Sequence, residues 1–369
     1  MASSTLFDRE LHAQYFLTNL RSLPAPYSSQ DSQRVVLAFF CIHGLALLGE
    51  LERVDRHQVI EWVYSLQVSL DDHDVHASNG GFRGGPCIGN ASICPNGSTY
   101  DTSNVASTFA ALCILRTLGD DLHRVDKPAI VRALTSLQDD TTGCFSSVNE
   151  GSEQDMRFVY CACAISYILD DWSGIDLTAM VRFINSCLSY DGGIGLCAGA
   201  ESHGGAVFTA IASLTLSGQL PQLKCKQSEL VQWLVFRQQD CGGFQGRLNK
   251  VPDSCYAFWN GATLALLQKH ALVDSPSCRQ FIYACQFSFG GLCKYPESVP
   301  DVMHSYLSLA WLSIAAHTDP DRTRGDEEEG EYPPLAPLDT KLQVPFFPVL
   351  LSESTEPEPR QERTTTQQQ

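Results

Sequence analysis

Two kinds of helical pattern alternate along the chain. One kind is amphipathic, with apolar residues on a single face, and it ends near a glutamine, as in "IEWVYSLQ" and "IVRALTSLQ". The other kind is apolar on nearly every side, as in "GGAVFTAIASLTLSG" and "CYAFWNGATLALLQK". Because a helix that is apolar all round must be buried, we expect the second kind to lie inside a shell formed by the first.

The alternation repeats about every 50 residues, which is typical of helical repeat proteins. A glycine turn followed by an apolar residue separates the two kinds of helix. These turns are Gly80-Gly81-Phe82, Gly143-Cys144-Phe145, Gly192-Gly193-Ile194, Gly242-Gly243-Phe244 and Gly290-Gly291-Leu292. Six inner and about six outer helices could form an open solenoid or a closed, all-α α/α barrel. We favour the barrel, because no strongly polar repeat is present to cap the end of a solenoid.

The helical pattern ends near residue 317. Residues 318–369 are acidic, rich in proline and poor in apolar residues, and "VPFFPVL" is their only apolar stretch. Such a composition cannot bury enough apolar surface to fold alone. We therefore predict one α/α-barrel domain over residues 1–317 and a disordered acidic tail over residues 318–369.

Composition and charge exclude several classes of protein. The chain has 369 residues and a net charge of −17, which argues against nucleic-acid binding through its overall field. It begins without the pattern of a signal peptide, and no window approaches about 20 uninterrupted apolar residues, so we expect no stable membrane insertion. Many of the 15 cysteines lie in apolar helical stretches, where a thiol behaves as a small hydrophobic group. We expect a reduced, cytoplasmic protein.

Four of the inner helices begin with an acidic residue, in "DMRF", "ESHG", "DSCY" and "DVMH". Each acid suits the N-terminus of a helix, so its presence alone does not require a function. In a barrel, however, equivalent positions of successive inner helices lie at the same height on one rim. The residues two or three positions after these acids should therefore converge there. They are Arg157, His203, Cys255, Tyr256 and His304.

Three residues in this register suit a metal ion. Asp253, Cys255 and His304 would supply one oxygen, one sulfur and one nitrogen. Three protein ligands with an open fourth position are typical of catalytic Zn²⁺ sites, whereas structural sites usually have four protein ligands. Taken singly, Cys255 is better explained as a core residue and His304 as an ordinary surface histidine. Their shared register favours zinc.

Positive side chains gather on the same rim, although the chain as a whole is acidic. Arg247, Lys250 and Lys294 lie in loops just before inner helices, close in register to Arg157 and His203. A run of solvated charges is the ordinary explanation of such a pattern. Here the cations lie beside the candidate metal site and at helix N-termini, which favour anions. The rim therefore suits a polyanion such as a diphosphate.

Aromatic residues of the inner helices would give the barrel an apolar interior. They are Phe40, Phe158, Tyr160, Phe208 and Trp259. A diphosphate group on the rim and an apolar chain inside the barrel together describe an isoprenoid diphosphate.

The segments that carry this chemistry resemble the β subunits of the protein prenyltransferases over about residues 10–317. The most specific are "ESHGG", "GGFQGRLNKVPDSCYAFW" and "PDVMHSY". Within that family, "LGDDLHRV", "EGSEQDMRFVYCA" and "DWSGIDL" are most similar to the type I geranylgeranyl branch. The resemblance implies a barrel that works as a heterodimer with a separate α subunit. It also implies transfer of a geranylgeranyl group from geranylgeranyl diphosphate to C-terminal C-a-a-X cysteines, with X mostly Leu or Phe, of proteins such as small GTPases.

The resemblance also implies roles for individual residues. Zinc would be held by Asp253, Cys255 and His304. The diphosphate would be held by His203, Arg247, Lys250, Tyr256 and Lys294, with Arg157 nearby. Tyr256 and Lys294 would also take part in catalysis with the zinc ligands. Because Lys294 replaces the acidic residue that recruits Mg²⁺ in farnesyl enzymes, Mg²⁺ is not expected to be required.

Other implied residues concern the isoprenoid and the peptide. Val36 stands where the farnesyl branch carries a tryptophan, so that a twenty-carbon chain would have room beside Phe40 and Trp259. Asn104 departs from the family pattern, since type I enzymes carry a histidine there, in the pocket for the last residue of the peptide.

Three alternatives remain open from the sequence. The chain could be a farnesyl-type or Rab-type β subunit, or a helical-repeat scaffold without catalytic activity. Glycine-rich helical repeats also occur in terpene cyclase barrels, but the acidic D-x-D-D motif of those enzymes is missing from the sequence. Zinc content and prenyl transfer in the presence of an α subunit separate the catalytic alternatives from the scaffold.

Overall fold

A computed structural model describes residues 7–68, 80–86, 102–149, 152–318 and 335–345. Twelve α-helices lie in these ranges. They are α1 (Arg9–Arg21), α2 (Arg34–Leu47), α3 (Arg56–Ser65), α4 (Val105–Thr117), α5 (Lys127–Leu137), α6 (Met156–Leu169), α7 (Leu177–Ser186), α8 (Gly204–Leu216), α9 (Gln227–Val235), α10 (Cys255–Leu266), α11 (Ser275–Ala284) and α12 (Val302–Thr318). Four two-residue strands accompany them. They are β1 (Gln67–Val68), β2 (Gly81–Phe82), β3 (Leu338–Asp339) and β4 (Val344–Pro345).

The even-numbered helices form a closed inner ring. Each packs against the next, from α2 through α4, α6, α8 and α10 to α12, and α12 packs against α2 again. The last of these contacts closes the ring and excludes an open solenoid. The predicted α/α barrel is therefore confirmed.

Hydrophobic patterning separates the inner helices from the outer ones. The inner helix α8 buries eleven of its residues, among them Phe208 and Ile211, and so has almost no polar face. The outer helix α7 buries only Ala179, Met180, Phe183 and Ile184, which form one stripe at helical spacing. A stripe of this kind packs on one side and leaves the other side to water.

Glycine turns and glutamines join one repeat to the next. Gly192 and Gly242 have φ of +86° and +87°, which only glycine adopts without strain. Two glutamines, each one to three residues after the end of an outer helix, reach the start of the next outer helix through their side-chain amides. Gln138 accepts from the Asp176 amide at 2.7 Å and donates to the Asp176 carbonyl at 3.0 Å. Gln238 holds Asp274 in the same way. The recurring glutamine in the sequence thus fixes the spacing of the outer helices.

Helix α1 completes the outer shell across the closure of the ring. His12 on α1 lies 3.0 Å from the Gln286 amide oxygen, and its Nδ1 accepts from the Gly291 amide at 3.1 Å. These contacts join the first helix to the turn that follows α11. The N-terminal and C-terminal parts of the barrel are therefore held together directly.

Residues 335–345 form a hairpin at the end of the barrel where the inner helices finish. Strands β3 and β4 pair antiparallel, with Leu338 opposite Pro345. The Ala336 amide donates to the Leu47 carbonyl at 2.8 Å, and its carbonyl accepts from the Ser313 hydroxyl at 2.6 Å. The expectation of disorder is therefore wrong for residues 335–345, because their spaced leucines and valine are buried against the barrel. The rest of the predicted tail, 319–334 and 346–369, lies outside the described residues.

None of the described helices is both long enough and apolar enough to cross a membrane.

Candidate metal centre and diphosphate-binding rim

Asp253, Cys255 and His304 meet at the rim formed by the N-termini of the inner helices. Asp253 precedes α10 and caps it by accepting from the Cys255 amide at 2.9 Å. Cys255 begins α10, and His304 lies in the first turn of α12. One ligand atom from each of the three residues lies within 4.8 Å of the others, and all three residues are buried. The predicted convergence of these three residues is therefore present.

Both the three ligand residues and the carboxylate that orients His304 suit a metal ion. The Nε2 atom of His304 lies 3.2 Å from Asp253 Oδ1, while its Nδ1 lies 2.5 Å from Asp301 Oδ2. A carboxylate on the second ring nitrogen is the usual device that orients a metal-binding histidine. Burial lowers the pKa of His304, but hydrogen bonds to Asp253 and Asp301 more than offset this and raise it to about 9. The site thus concentrates negative charge, which a bound cation would balance.

Cys255 supports the same interpretation. Burial, together with the nearby Asp253 carboxylate, raises the pKa of its thiol well above the ordinary value. A bound metal cation reverses this effect, because a coordinated thiol is deprotonated. The Trp259 indole, one turn further along α10, acts in the opposite direction and favours the ionised thiol. Sequence analysis did not connect Trp259 with Cys255, although their four-residue spacing on a helix places them on one face.

His203 and Tyr256 form a second pair on the rim. His203 caps α8, and its Nδ1 accepts from the Gly205 amide at 3.1 Å. Burial and the nearby Arg247 guanidinium hold the pKa of His203 below its ordinary value, so the ring is neutral and carries its proton on Nε2. Nε2 lies 2.8 Å from the Tyr256 hydroxyl oxygen and donates to it. The phenolic proton of Tyr256 is therefore available to a ligand.

The predicted cations lie around these pairs in different settings. Arg247 is half-buried, and its Nη1 lies 3.2 Å from Glu201 Oε2. Lys250 is exposed on the same loop. Lys294 Nζ lies 3.6 Å from Asp253 Oδ2, so this lysine adjoins the metal residues. Among the described side chains, these three cations thus surround the same rim.

Arg157 is engaged differently from the other predicted cations. Its guanidinium lies 2.6 Å from Asp155 Oδ2 and 2.6 Å from Glu153 Oε2. The hydrogen bond to Asp155 is the main reason that the pKa of Arg157 is raised. Two carboxylates therefore already neutralise Arg157, so it adds less positive charge to the rim than Arg247, Lys250 or Lys294.

The barrel interior below the rim is apolar. Val36, Phe40 and Trp259 are only half-buried, although their neighbours on the same helices are buried. Other helices cover the outer sides of α2 and α10, so the exposed parts of these side chains face the interior. Aromatic contacts continue around the ring, with Phe208 5.3 Å from Trp259 and 5.8 Å from Tyr160, measured between ring centroids. An apolar chain could enter here from the rim.

Two further residues have roles that the sequence did not reveal. The sequence predicts Asp301 only as a helix cap; it does accept from the His304 amide at 2.9 Å, but it also holds the imidazole. Its position three residues before His304 was the available signal. Asn104 caps α4 by accepting from the amides of Ala106 and Ser107. Asn104 thus has a structural role at the start of this inner helix.

A separate groove of about 760 Å³ lies on the outer wall between α1, α2 and α3. Leu20, Leu37 and Trp62 contribute to its lining. None of the predicted site residues lines this groove, so it is not part of the rim site.

Comparison with known proteins places the chain in a family. The prenyltransferase alpha–alpha toroid domain matches residues 7–345. Geranylgeranyl transferase type-1 subunit beta of Arabidopsis thaliana is 40% identical, and the match covers 93% of this chain and 90% of that protein. The protein of the same description from Dictyostelium discoideum is 41% identical, over 83% of this chain and 90% of its own length. Protein farnesyltransferase subunit beta of Arabidopsis thaliana is 32% identical, over 71% of this chain and 49% of its own.

A solved structure agrees with these matches. Candida albicans protein geranylgeranyltransferase-I, complexed with GGPP, superposes with a TM-score of 0.78 at 26% identity, and the match covers 92% of this chain and 96% of that chain. The closed helical ring, the rim residues and the sequence matches thus lead to one conclusion: the chain belongs to the prenyltransferase alpha–alpha toroid family, in the group of the geranylgeranyl transferase type-1 beta subunits.

Proposed function

We propose that the chain is the catalytic β subunit of a zinc-dependent protein geranylgeranyltransferase type I. It transfers a geranylgeranyl group from geranylgeranyl diphosphate to the cysteine of C-terminal C-a-a-X motifs in which X is mostly Leu or Phe. The observation that carries the proposal is the position of the Asp253, Cys255 and His304 cluster. It lies beside a cationic rim and above an apolar barrel interior.

Asp253, Cys255 and His304 would hold the zinc ion, with Asp301 orienting the imidazole. Zinc, when bound, supplies the positive charge that keeps the cysteine of the substrate as a thiolate near neutral pH. Asp253 is a suitable ligand because hydrogen bonds from His304 and Cys255 outweigh burial and keep the pKa of its carboxyl below the ordinary value. It therefore stays ionised.

The rim residues act on the isoprenoid diphosphate. In the reaction a bond forms between the cysteine sulfur and C1 of the isoprenoid, while the bond from C1 to the diphosphate oxygen breaks. Negative charge grows on the departing diphosphate. Preplaced donors that meet such charge lower the barrier most, because they need no reorganisation. Arg247, Lys250 and Lys294 supply positive charge, and Tyr256 supplies the hydroxyl proton that His203 leaves free.

Lys294 has a particular place in this scheme. Its ammonium group lies 3.6 Å from Asp253 and is half exposed, so it can contact both the metal ligands and an anion on the rim. A fixed cation there supplies charge that Mg²⁺ would otherwise bring. We therefore propose that transfer requires zinc and does not require Mg²⁺.

The activity would need partners. The family match implies a heterodimer with a prenyltransferase α subunit, and small GTPases with C-a-a-X ends would be typical substrates. We place the enzyme in the cytoplasm. The described cysteines are free thiols, which fits a reducing compartment.

Purification of the chain with an α subunit tests the proposal. We expect one zinc ion per heterodimer and transfer to a peptide ending in C-a-a-Leu, faster from geranylgeranyl than from farnesyl diphosphate. A peptide with serine in place of the cysteine is the control and should remain unmodified. Zinc binding without transfer from either donor would support the scaffold alternative. A preference for farnesyl diphosphate would indicate a farnesyl-type enzyme.

A further inference from the structure

The hairpin of residues 335–345 lies inside the ring of inner helices. It contacts α2 through the Leu47 carbonyl and α12 through the Ser313 hydroxyl. Its side chains Leu342 and Val344 are completely buried. Leu47 and Ser313 lie toward the C-terminal ends of the neighbouring helices α2 and α12, so the base of the hairpin lies at the end of the barrel away from the metal residues.

Two tyrosines of the inner helices donate hydrogen bonds to the turn of this hairpin. The Tyr160 hydroxyl on α6 donates to the Lys341 carbonyl at 3.1 Å. The Tyr306 hydroxyl on α12 donates to the Gln343 carbonyl. Both tyrosines are buried, so each hydroxyl needs an acceptor, and the hairpin backbone provides it.

The same tyrosine rings form part of the aromatic lining of the barrel. The Tyr306 ring centroid lies 5.9 Å from that of Phe40, and the Tyr160 centroid lies 5.8 Å from that of Phe208. Phe208 in turn contacts Trp259, which is half-buried. The hairpin therefore holds two members of the aromatic layer that lines the apolar interior.

Polar contacts anchor the hairpin turn further. Lys341 Nζ lies 3.7 Å from Asp339 Oδ2 within the hairpin and 4.9 Å from the centroid of the Tyr167 ring on α6. The contact with Tyr167 attaches the turn to the C-terminal part of α6. A segment held at so many points can act as a fixed wall.

We propose that this hairpin is the floor of the isoprenoid cavity and sets the longest donor chain that the enzyme accepts. The inference rests on the proposed function. Without the hairpin the barrel interior would continue to the far end, and Tyr160 and Tyr306 would lose their acceptors. The length limit is thus set by a segment remote in sequence from the rim that performs the chemistry.

A truncation series in the heterodimer with the α subunit tests this inference. One variant ends at residue 334 and lacks the hairpin, and its control ends at residue 345 and keeps it. The measurement is the ratio of kcat/KM for twenty-five-carbon and twenty-carbon prenyl diphosphates, with zinc content determined in each variant. We expect the first variant to raise this ratio about tenfold or more, because the additional apolar carbons gain a place to bind. The control should keep the ratio of the full chain.

A milder variant decides the question if the shorter chain does not fold. Tyr160→Phe combined with Tyr306→Phe keeps both rings and removes only their bonds to the hairpin, so we expect a several-fold rise in the same ratio. Tyr64→Phe is the matched control, since its hydroxyl donates to Asp120 on the outer side of the barrel. An unchanged ratio in an active, zinc-containing variant of either kind overturns the role of the hairpin. A full-length heterodimer that transfers no prenyl group refutes the proposed function instead.

Discussion

The hydroxyl of Tyr256 lies 2.8 Å from Nε2 of His203 and joins the N-termini of two neighbouring inner helices. Because His203 Nδ1 accepts a backbone hydrogen bond, Nε2 is the donor of this pair and the phenolic proton points elsewhere. The arrangement gives Tyr256 one free proton beside Arg247. It predicts that Tyr256 donates to the diphosphate as that group leaves.

Tyr256→Phe should lower the single-turnover rate by about a hundredfold to a thousandfold, as loss of one preplaced donor does elsewhere. The affinity for geranylgeranyl diphosphate should change less, because the apolar chain supplies most of the binding. Rapid-quench kinetics and donor titration measure the two effects. Tyr295→Phe is the control, since Tyr295 is an exposed tyrosine on the same rim. An unchanged rate in Tyr256→Phe would show that its hydroxyl does not reach the leaving group.

Cys255→Ala should remove the metal and abolish transfer. It deletes the single sulfur of the cluster while changing one residue at a helix start, so the helical content should stay near that of the wild type. Metal analysis and circular dichroism measure these outcomes. Cys161→Ala is the matched control, because Cys161 is also a buried cysteine of an inner helix. Zinc retained at full stoichiometry in Cys255→Ala would contradict the assignment.

Magnesium should have little effect on the wild-type enzyme. With zinc present, addition of millimolar Mg²⁺ is expected to leave the transfer rate within about twofold, because Lys294 already places a cation where Mg²⁺ would bridge phosphates. Lys294→Ala should be slower, with zinc content unchanged. Lys269→Ala, which alters an exposed lysine in the loop after α10, is the control. A strong requirement of the wild type for Mg²⁺ would exclude this role of Lys294.

The sequence predicted the rim better than the interior. The proximity of Asp253 and His304 could be predicted, because the repeats set the height at which each inner helix begins. The register depends on local patterns, which are visible in one chain. The relation between Asp301 and His304 was missed, since an acidic helix cap has an ordinary explanation and the second hydrogen bond depends on the rotamer of the imidazole.

The hairpin shows why the rest could not be predicted. Leu335, Leu338, Leu342 and Val344 are sparse apolar positions in a segment rich in proline and charge, and such composition predicts disorder. Their burial depends on a cavity that exists only after the ring of inner helices has closed. No local sequence pattern indicates that this cavity will form. The backbone carbonyls that Tyr160 and Tyr306 use as acceptors are likewise invisible in the sequence.

His43 predicts a pH dependence of stability. Its Nδ1 lies 2.7 Å from the Phe39 carbonyl and its Nε2 lies 3.0 Å from the Thr117 hydroxyl, in the core. Burial lowers the pKa of His43 from 6.5 to about 3. The unfolded chain therefore takes up a proton first as the pH falls through 6.5, and stability is lost progressively until the pH nears 3. Between pH 7 and pH 5 this one group should cost about 2 kcal/mol of unfolding free energy.

Urea unfolding of the chain at pH 7 and pH 5 measures the effect. His43→Gln should reduce the pH-dependent loss relative to the wild type, while lowering stability at pH 7 through imperfect packing. His57→Gln is the control, because His57 is exposed on α3. Comparison under the same conditions cancels contributions from other groups, such as the buried His12. An equal pH-dependent loss in His43→Gln and the wild type would show that His43 does not stay neutral in the fold.

Val36 should govern the choice between fifteen-carbon and twenty-carbon donors. It lies in the first turn of α2, four residues before Phe40, and is half-buried toward the barrel interior. A tryptophan there would fill space that the fourth isoprene unit needs. Each methylene-sized group of that unit contributes about 0.8 kcal/mol when buried, whereas forcing it into a filled cavity costs about 1–3 kcal/mol. Val36→Trp should therefore shift the ratio of kcat/KM from geranylgeranyl toward farnesyl diphosphate, with zinc and α-subunit binding unchanged. Val36→Thr, which keeps the volume, should retain the wild-type ratio, and an unchanged ratio in Val36→Trp would place the end of the isoprenoid elsewhere.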